Sequence, residues 1–397
     1  MKIGIDASRA NSVLRTGTEW YSYHLIKELA KIDKENSYIL YLDKEPVSDL
    51  KEALKHNKNF KFKILKWPWS NFWTLGRLSL EMLFNSPKVL FVPAHGLPFF
   101  CPRKTITTVH DIAFVHESIL YRRKKLPSKI INFLVKLFTF GRHRADSLDY
   151  LNWSTKRSLK VAKKIIAVSH FTKSEILNHY KDTKSEKIEV IHNGYNDEQY
   201  KHINNEKKIK EVLHKYGIDV PYFLYVGRLE RKKNTPNLLE AFSMLKEDYP
   251  NWPIHLSLVG SASYGYDEVK FVIEDFDLSP YLNIPGWIAD EDMPYIYAGA
   301  LAFIFPSKHE GFGIPVIEAM ATGLPTAVSN LKVLKEVAQD ASIYFDYNNP
   351  REIADLMIEL YKNEDLRKDL RNKGLKRATN FSWQKSAKET LEIITSL

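Results

Sequence analysis

Residues 306–328 of this chain read PSKHEGFGIPVIEAMATGLPTAV, and this stretch decides the fold. The apolar run at 301–305 that precedes it has the length of a buried strand. Pro315 suits the first turn of a helix, where its missing N–H costs nothing. Gly323 suits the position just past the last helical turn. The stretch therefore predicts a strand, a glycine loop, a helix and a second strand, which is the repeating unit of a parallel sheet.

Two glycines and two glutamates make this loop a candidate binding site. Gly311 and Gly313 permit a close approach of the backbone to a ligand. The predicted helix that follows has unpaired N–H groups and a positive dipole end at the loop, and this combination binds phosphate groups. Glu310 opens the loop, and Glu318 lies about one helical turn further on, which is roughly 5 Å. The two carboxylates are therefore expected to hold opposite ends of one extended ligand.

The two glutamates and their spacing resemble the E-x7-E motif of the large family of retaining GT-B glycosyltransferases, known as glycosyltransferase family 4 or glycosyl transferases group 1, and in particular its mannosyltransferases. The resemblance implies that Glu310 contacts the transferred sugar and that Glu318 holds the nucleotide ribose. The donor-binding residues that it implies around the diphosphate are Gly311, Phe312, Gly313 and Ile314. The alternative is a plain βαβ unit whose acidic side chains are only solvated.

A basic loop follows the strand predicted near 222–227. The family places an arginine just past this strand and a lysine five residues on, and Arg228 and Lys233 fit that spacing. Such cations stabilise the negative charge that grows on a leaving diphosphate. The resemblance therefore implies no metal ion, and no cofactor besides the nucleotide sugar, which is a substrate. A solvated basic turn is the alternative, and the neighbouring Arg231 and Lys232 add a slight ambiguity to the assignment of Lys233.

Two sites in the first half of the chain complete the implied donor site. Gly17 follows the first strand and is expected to bring the backbone close to the donor, with Thr18 as the cap of the next helix. The family has two adjacent glycines where this chain has one. His110 and Asp111 follow a buried strand, at the end where α/β sheets place ligands. The family has a histidine here that faces the donor sugar, so His110 is expected to be catalytic, and Asp111 to help fix its imidazole.

Other residues are placed beside the ligand by the resemblance alone. Ile288 would border the nucleotide base through its backbone groups, while the adjacent Trp287 is equally well interpreted as a core residue. The polar residues assigned to the acceptor side or the cleft are His95, Asp111, Ser169 and Asn193. Ser169 is also a natural helix cap, and Asn193 with Gly194 is typical of a turn.

The composition excludes several classes of protein. The chain has 397 residues, of which 44% are hydrophobic, and no apolar run approaches the roughly 20 residues that span a bilayer. Its start reads as a strand without a signal-peptide pattern, so a cytoplasmic protein is expected. Cys101 is the only cysteine, which excludes an intrachain disulfide and a cysteine zinc site.

The net charge of +10 is concentrated in one segment. Between residues 121 and 164 there are 13 Lys or Arg and 2 acidic residues, and the remainder is close to neutral. Basic flanks surround an apolar run at 130–140 that is too short to span a membrane. We expect residues 121–144 to bind an anionic membrane surface at the inner face of the cell membrane, the alternative being a core helix. No nucleic-acid-binding motif is present, so nucleic acid is not an expected partner.

Strand-like runs alternate with amphipathic helical patterns along the whole chain, which indicates an α/β protein. Strands are predicted near 2–6, 37–42, 61–66, 88–93, 105–109, 164–168, 187–191, 222–227, 254–259, 282–285, 301–305, 325–329 and 342–345. So many strands favour two doubly wound, Rossmann-like domains. We expect an acceptor domain at 1–200 and a donor domain at 201–382. The GT-B resemblance implies that they face a cleft and that a helix at 383–397 crosses back to the first domain.

The sequence as a whole favours a hexosyltransferase that uses GDP-mannose or a UDP-sugar. The expected acceptor is a glycan or lipid-linked sugar in cell-surface polysaccharide biosynthesis. Three alternatives remain: a soluble glucosyltransferase of storage or osmolyte sugars, a sugar-nucleotide epimerase, and a non-catalytic membrane-binding scaffold.

Overall fold

The structure is a computed structural model, and the residues that it describes are 1–68, 73–94, 96–116 and 147–397. The chain divides into two compact units. Unit 1 comprises Met1–Gly194 together with Trp383–Leu397, and unit 2 comprises Tyr195–Ser382. Each unit has a parallel sheet of its own.

Unit 1 is built on a seven-stranded sheet whose pairings are all parallel. Its strands are β1 (Lys2–Asp6), β2 (Ser37–Leu42), β3 (Phe60–Ile64), β4 (Val89–Val92), β5 (Thr105–Val109), β6 (Lys164–Ala167) and β7 (Ile188–Val190). They lie in the order β3-β2-β1-β4-β5-β6-β7. Every residue of β4 and β5 is buried, as expected for strands covered on both faces. The strand order reverses between β1 and β4, and open α/β sheets bind ligands at the carboxyl ends beside such a reversal.

Helices connect these strands within the described part of unit 1. They are α1 (Gly17–Ile32), α2 (Ser48–Leu54), α3 (Ser79–Phe84), α4 (Ala113–His116), α5 (Ser147–Val161) and α6 (His170–His179). The predicted cap of α1 at Thr18 is wrong, because the helix begins earlier. Thr16 is extended and forms a capping box with Glu19, which pairs two backbone N–H groups at the helix start. The predicted cap at Ser169 is confirmed, since its Oγ accepts the Thr172 N–H at 3.0 Å.

Unit 2 is built on a six-stranded sheet, again with every pairing parallel. Its strands are β8 (Tyr222–Val226), β9 (His255–Val259), β10 (Leu282–Gly286), β11 (Ala302–Phe305), β12 (Thr326–Ser329) and β13 (Ile343–Phe345). They lie in the order β10-β9-β8-β11-β12-β13. The order reverses between β8 and β11, so the loops after these two strands flank the switch point of this sheet.

The helices of unit 2 alternate with its strands along most of the unit, as the sequence pattern predicts. They are α7 (Glu206–Lys215), α8 (Thr235–Asp248), α9 (Tyr266–Asp275), α10 (Met293–Gly299), α11 (Ile314–Ala321), α12 (Lys332–Ala338), α13 (Pro350–Lys362) and α14 (Glu364–Ala378). The central strands β11 and β12 are buried throughout. The site loops therefore extend from the most rigid part of the unit.

The last helix, α15 (Trp383–Thr395), returns to unit 1 and packs on α1. The ring of Trp383 stacks on His24, with centroids 5.5 Å apart, and meets the edge of Tyr21 at 5.7 Å. Ser386 Oγ donates to the carbonyl of His192 at 2.6 Å. The expected crossing of the C-terminal helix is thus confirmed, and its anchor is an aromatic cluster.

The predicted α/β architecture is confirmed. Each of the predicted strands is present, with bounds within two residues of those expected, and they form two Rossmann-like sheets of seven and six strands. Among the described residues, no helix is both long and apolar enough to cross a membrane. His95 and the basic segment 121–144 lie outside the described residues, so the predictions made for them remain predictions.

Candidate functional site

The glycine loop and α11 adopt the predicted arrangement. Gly313 caps α11 with a φ of 100°, and a Cβ atom there would lie 2.8 Å from Leu334 Cδ2. The left-handed backbone therefore favours glycine at this position, while the Leu334 side chain of α12 could shift to relieve the contact. Pro315 lies in the first turn, and Gly323 follows the last turn with a φ of 79°. The N–H groups of the first turn of α11 consequently face the loop that carries Glu310.

Glu310 forms an ion pair with Lys233 across the switch point of the sheet. Lys233 follows β8 and Glu310 follows β11, and Lys233 Nζ lies 2.5 Å from Glu310 Oε1. Only 12% of the Glu310 side chain is exposed. Burial alone would raise the pKa of Glu310, but the charges of Lys233 and Lys232 outweigh burial and hold that pKa below its usual value. Glu310 is therefore a carboxylate at neutral pH.

The structure gives different partners to two of the three consecutive cations at 231–233. Arg231 Nε donates to Glu268 at 2.8 Å, away from the glycine loop. Asn234 is left-handed with a φ of 59° and donates its side-chain amide to the carbonyl of Tyr347 at 2.7 Å. This turn ends the short 3₁₀ helix just after Lys233. Lys233 is thus the cation that meets the predicted sugar-binding glutamate.

Arg228 combines a fixed backbone with an exposed side chain. The hydroxyl of Tyr225, a fully buried residue of β8, donates to the carbonyl of Arg228 at 2.8 Å. The Arg228 side chain is 55% exposed, and its Nη1 lies 3.9 Å from Glu230 Oε2. An exposed cation beside the switch point can reach an anionic ligand, and at 3.9 Å its contact with Glu230 is a long one. The sequence does not identify Tyr225 as a residue that supports the site, because it is indistinguishable from the other residues of an apolar strand.

Gly260 is a site residue that sequence reasoning missed. It follows β9 with a φ of 142°, and a Cβ atom there would lie 2.0 Å from the carbonyl oxygen of Gly227. Backbone hydrogen bonds join the loops after β8 and β9; among them, Leu229 N donates to Ser261 O at 3.0 Å, and Ser263 N donates to Leu229 O at 3.1 Å. Gly260 therefore allows the loop that carries Arg228 to lie against its neighbour. A glycine directly after a buried strand is the signal that could have identified it.

Replacing Gly260 with alanine is expected to lower the free energy of unfolding of the protein by about 1–3 kcal/mol, because the new Cβ atom would overlap the Gly227 carbonyl in a strained backbone. Sugar-nucleotide affinity should fall as well, since Arg228 follows Gly227 directly. Urea unfolding and calorimetry measure the two effects. Gly374→Ala is the control, because its Cβ atom would meet Met320 Cγ at 3.2 Å, which the side chain can relieve. Equal stability for both variants would contradict the role of Gly260.

Glu318 occupies an electrostatic environment opposite to that of Glu310. It lies on α11, and its Oε2 accepts a hydrogen bond from Tyr297 Oη at 3.2 Å. Burial raises the pKa of Glu318 to about 7, the hydrogen bond from Tyr297 lowers it, and the charge of Asp290 raises it. The two glutamates of the motif therefore differ in charge near neutral pH. Glu310 is ionised, whereas Glu318 is partly protonated.

The loop after β10 presents a tryptophan to solvent. Gly286 ends the strand with a φ of 73°, and its carbonyl accepts the N–H of Gly260 at 3.0 Å. Trp287 is 47% exposed, so its interpretation as a core residue is wrong, whereas Ile288 is 3% exposed. The loop predicted to border the base thus lies beside the loop after β9.

His110 contacts a backbone carbonyl and an aromatic ring. Its Nε2 lies 3.0 Å from the carbonyl of Pro93, and its ring meets the edge of Tyr21 at 4.7 Å. The Asp111 carboxylate accepts the N–H of Ala113 at 3.1 Å, at the start of α4. A carbonyl partner for Nε2 requires that this nitrogen carries the proton. Tyr21, which sequence reasoning missed, also bonds Thr108 Oγ1 at 3.0 Å.

Gly17 lies in the first turn of α1 beside a buried arginine. A Cβ atom at Gly17 would have no atom within 4 Å, so the backbone there is open to a ligand. Arg15 is 5% exposed, donates to the carbonyl of Ala10 at 2.9 Å, and stacks over Tyr23 at 4.1 Å from the ring centroid. It also binds Asp49 at 3.1 Å through Nη2. Arg15 therefore fixes the loop before α1, and the sequence has no signal that a loop arginine is buried.

The remaining predicted residues have mixed surroundings. Ser169 is fully buried as the cap of α6, so its structural role is established. Asn193 lies in an irregular segment after β7 rather than in a hydrogen-bonded turn. It is 4% exposed, and its Oδ1 has no hydrogen-bond partner among the described residues. A buried amide oxygen in that state is suited to a ligand hydroxyl.

Two family models match the chain in succession. The model described as Glycosyltransferase Family 4 matches residues 15–199. The model described as Glycosyl transferases group 1 matches residues 204–377. The first range therefore falls almost entirely in unit 1 and the second falls in unit 2.

Individual relatives are more distant in sequence. O-antigen chain mannosyltransferase B of Escherichia coli is 29% identical over 303 residues, which are 75% of this chain and 72% of that protein. Serotype-specific mannosyltransferase WbdA of Escherichia coli is 27% identical over 310 residues, which are 77% of this chain but 34% of that protein. The crystal structure of Anabaena HepE in complex with UDP-glucose matches with a TM-score of 0.72 and 16% identity, over 100% of this chain and 99% of HepE. At that identity the likeness shows a common fold.

Proposed function

The chain belongs to the GT-B glycosyltransferase family that these two models describe, and from this premise we propose that it is a retaining hexosyltransferase that uses a nucleotide sugar and no metal ion. The proposed setting is the assembly of a cell-surface polysaccharide. The proposed donor is GDP-mannose, with UDP-sugars as the alternative, and the proposed acceptor is a lipid-linked glycan. Support for mannose comes from the two relatives above, both named as mannosyltransferases.

The observation that carries the proposal is the pairing of Lys233 with Glu310 at the switch point of unit 2. A buried carboxylate beside a lysine matches what a donor site needs at the junction of sugar and diphosphate. Arg228 extends from the neighbouring loop, and α11 places Glu318 one turn beyond the loop. If this were a plain βαβ unit with solvated acidic side chains, Glu310 would be exposed to water. Instead, the Glu310 side chain is 12% exposed and pairs with a lysine 77 residues away in the chain.

The proposed chemistry follows from these charges. The bond between the sugar anomeric carbon and the diphosphate oxygen breaks, and negative charge grows on the diphosphate. Arg228 and Lys233 stabilise that charge. The acceptor hydroxyl attacks from the same face, and the departing phosphate takes its proton. Glu310 hydrogen-bonds sugar hydroxyls, and His110 orients the transferred sugar. A covalent adduct between Glu310 and the sugar would contradict this assignment.

The test of the proposed function is turnover with purified protein. GDP-mannose, UDP-glucose and ADP-glucose are compared first by thermal shift, where a donor at 100 times its dissociation constant should add roughly 2.7 kcal/mol of stability. The stabilising donor is then incubated with a lipid-linked glycan acceptor, with and without EDTA. We expect an α-linked product from an α-linked donor in both conditions. Conversion of the donor without an acceptor would indicate an epimerase. Binding of the donor without any turnover would indicate a scaffold, and loss of activity in EDTA would indicate a metal-dependent enzyme.

Membrane binding is a separate proposal that rests on the sequence of residues 121–144, outside the described residues. Four consecutive basic residues, at 122–125, precede the apolar run at 130–140. We expect the protein to sediment with anionic but not neutral liposomes, and to be released by high salt, because each basic residue near the surface contributes about 1 kcal/mol. Replacing all four basic residues with glutamine should abolish sedimentation. Unchanged binding would show that this patch is not the anchor.

A further inference from the structure

We propose that Tyr297 is a positioning residue that aims the Glu318 carboxylate at the two ribose hydroxyls of the donor, an inference that rests on the proposed function. No sequence pattern identifies Tyr297, because it lies in an apolar helix that precedes a buried strand. Its role depends on what its hydroxyl group reaches in the folded unit.

The position of Tyr297 is fixed by its surroundings. Tyr297 is fully buried, and its ring packs edge-on against Tyr200 and tilted against Phe303, each at a centroid distance of 5.7 Å. Its hydroxyl lies 3.2 Å from Glu318 Oε2. These ring contacts hold the phenol in place, and its hydrogen bond restrains one oxygen of the Glu318 carboxyl group.

A ribose requires that this carboxyl group be ionised. Two adjacent hydroxyls can each donate to one oxygen of a carboxylate, and such charge-assisted hydrogen bonds are the stronger kind. A protonated carboxyl group carries a hydrogen on one oxygen and so accepts less well. Binding of the ribose should therefore expel the proton that Glu318 holds at or below neutral pH.

The groups that act on Glu318 determine the direction of the pH dependence. Burial raises the pKa of Glu318 to about 7, Tyr297 on α10 lowers it, and Asp290 in the loop after β10 raises it. Tyr200 faces the same carboxyl group from the segment before α7, and the pKa of its phenol is raised by burial and by Glu318. Donor affinity should therefore increase as the pH rises through 7. Without the Tyr297 hydroxyl, the pKa of Glu318 rises further and the increase moves to higher pH.

The experiment measures sugar-nucleotide affinity by calorimetry between pH 6 and 8.5, for the wild type and for Tyr297→Phe. GDP-mannose and UDP-glucose are the probes, because a terminal phosphate would itself titrate near pH 6, whereas their diphosphate is esterified at both ends. In the wild type we expect affinity to increase with pH, with proton release detected by comparing buffers of different ionisation enthalpy. Tyr297→Phe should bind about tenfold more weakly at pH 7, the size of one hydrogen bond to a charged group. It should regain only part of this affinity at pH 8.5, where Glu318 is ionised but still lacks the hydrogen bond that orients it.

Two further variants make the result decisive. Tyr222→Phe removes another buried hydroxyl group of this region, which donates to the carbonyl of Ile296 in α10 at 2.5 Å. This variant should leave the pH midpoint unchanged. Asp290→Asn should move the midpoint to lower pH, because it removes a negative charge that acts on Glu318. A common midpoint for the wild type and Tyr297→Phe, or an equal shift in Tyr222→Phe, would overturn the inference while transfer by the wild type still supports the proposed function. A wild type that binds no sugar nucleotide at any pH would instead overturn the proposed function.

Discussion

Replacing Lys233 with alanine is expected to reduce sugar transfer by about 100-fold to 1,000-fold, the range seen when one preorganised charge partner of a transition state is removed. The variant loses the ammonium group nearest the proposed diphosphate. It also leaves Glu310 buried without its nearest cation, so burial should raise the pKa of Glu310. Both effects disfavour the transition state, which is why this substitution has the largest expected effect.

Arg231→Gln provides the matched control for Lys233. Arg231 lies two residues earlier in the same short helix but pairs with Glu268, and a partly exposed pair contributes little. We expect near wild-type kcat and kcat/KM for this control. If Lys233→Ala also keeps near wild-type turnover, the diphosphate is bound elsewhere.

A double variant separates the chemical role of Lys233 from its structural role. Lys233→Ala combined with Glu310→Gln removes both charges of the buried pair, so no charged group remains unpaired. We expect this variant to recover the free energy of unfolding lost in Lys233→Ala while transfer stays low. Transfer equal to that of Glu310→Gln alone would mean that Lys233 serves only to neutralise Glu310, whereas a further loss would show its own role in transfer.

Replacing each glutamate of the motif with glutamine is expected to give opposite binding phenotypes. Glu310→Gln should reduce transfer by about 100-fold or more, because a sugar-binding carboxylate is lost. Its affinity for the nucleoside diphosphate alone should be retained or increased, since Lys233 is no longer paired with a carboxylate. Calorimetry with GDP and UDP, alongside the transfer assay, measures both effects.

Glu318→Gln should instead weaken binding of the nucleoside diphosphate itself, by about 10-fold to 100-fold, the value of a hydrogen bond to a charged group. With GDP-mannose, whose diphosphate is esterified at both ends, the loss should be larger at pH 8 than at pH 6. The reason is that the pKa of Glu318 is raised to about 7, and glutamine resembles the protonated carboxyl group but not the carboxylate. Equal losses of nucleotide affinity in both glutamine variants would show that the sugar and ribose assignments are wrong.

Local chemistry explains why much of the fold is predictable from the sequence. Apolar runs of strand length predicted the strands, because the length of such a run and the spacing of its apolar residues depend only on residues close together in the sequence. Pro315 and Gly323 bounded α11 for the same reason, and Ser169 was identified as a cap from its hydroxyl group alone. The cap of α1 was misplaced by two residues, since Thr16 and Thr18 are chemically equivalent until the Glu19 side chain selects one of them.

The candidate site was predictable in its components rather than in its contacts. Glu310, Arg228 and Lys233 were identified by their spacing and by a family resemblance. The sequence could not indicate that Trp287 is exposed, because a tryptophan after a strand is equally compatible with the core. The proposed roles of these residues remain predictions, and the experiments above test them.

By itself the sequence determined the strands, the helices, two parallel sheets and the chemical types of the residues at their carboxyl ends. Only the tertiary structure decided that Lys233 pairs with Glu310, that Gly260 lies against the Gly227 carbonyl, and that Tyr297 reaches Glu318. The physical reason is that secondary structure depends on residues a few positions apart. These contacts, in contrast, join loops from different strands, and their geometry depends on the strand order and register of the whole sheet.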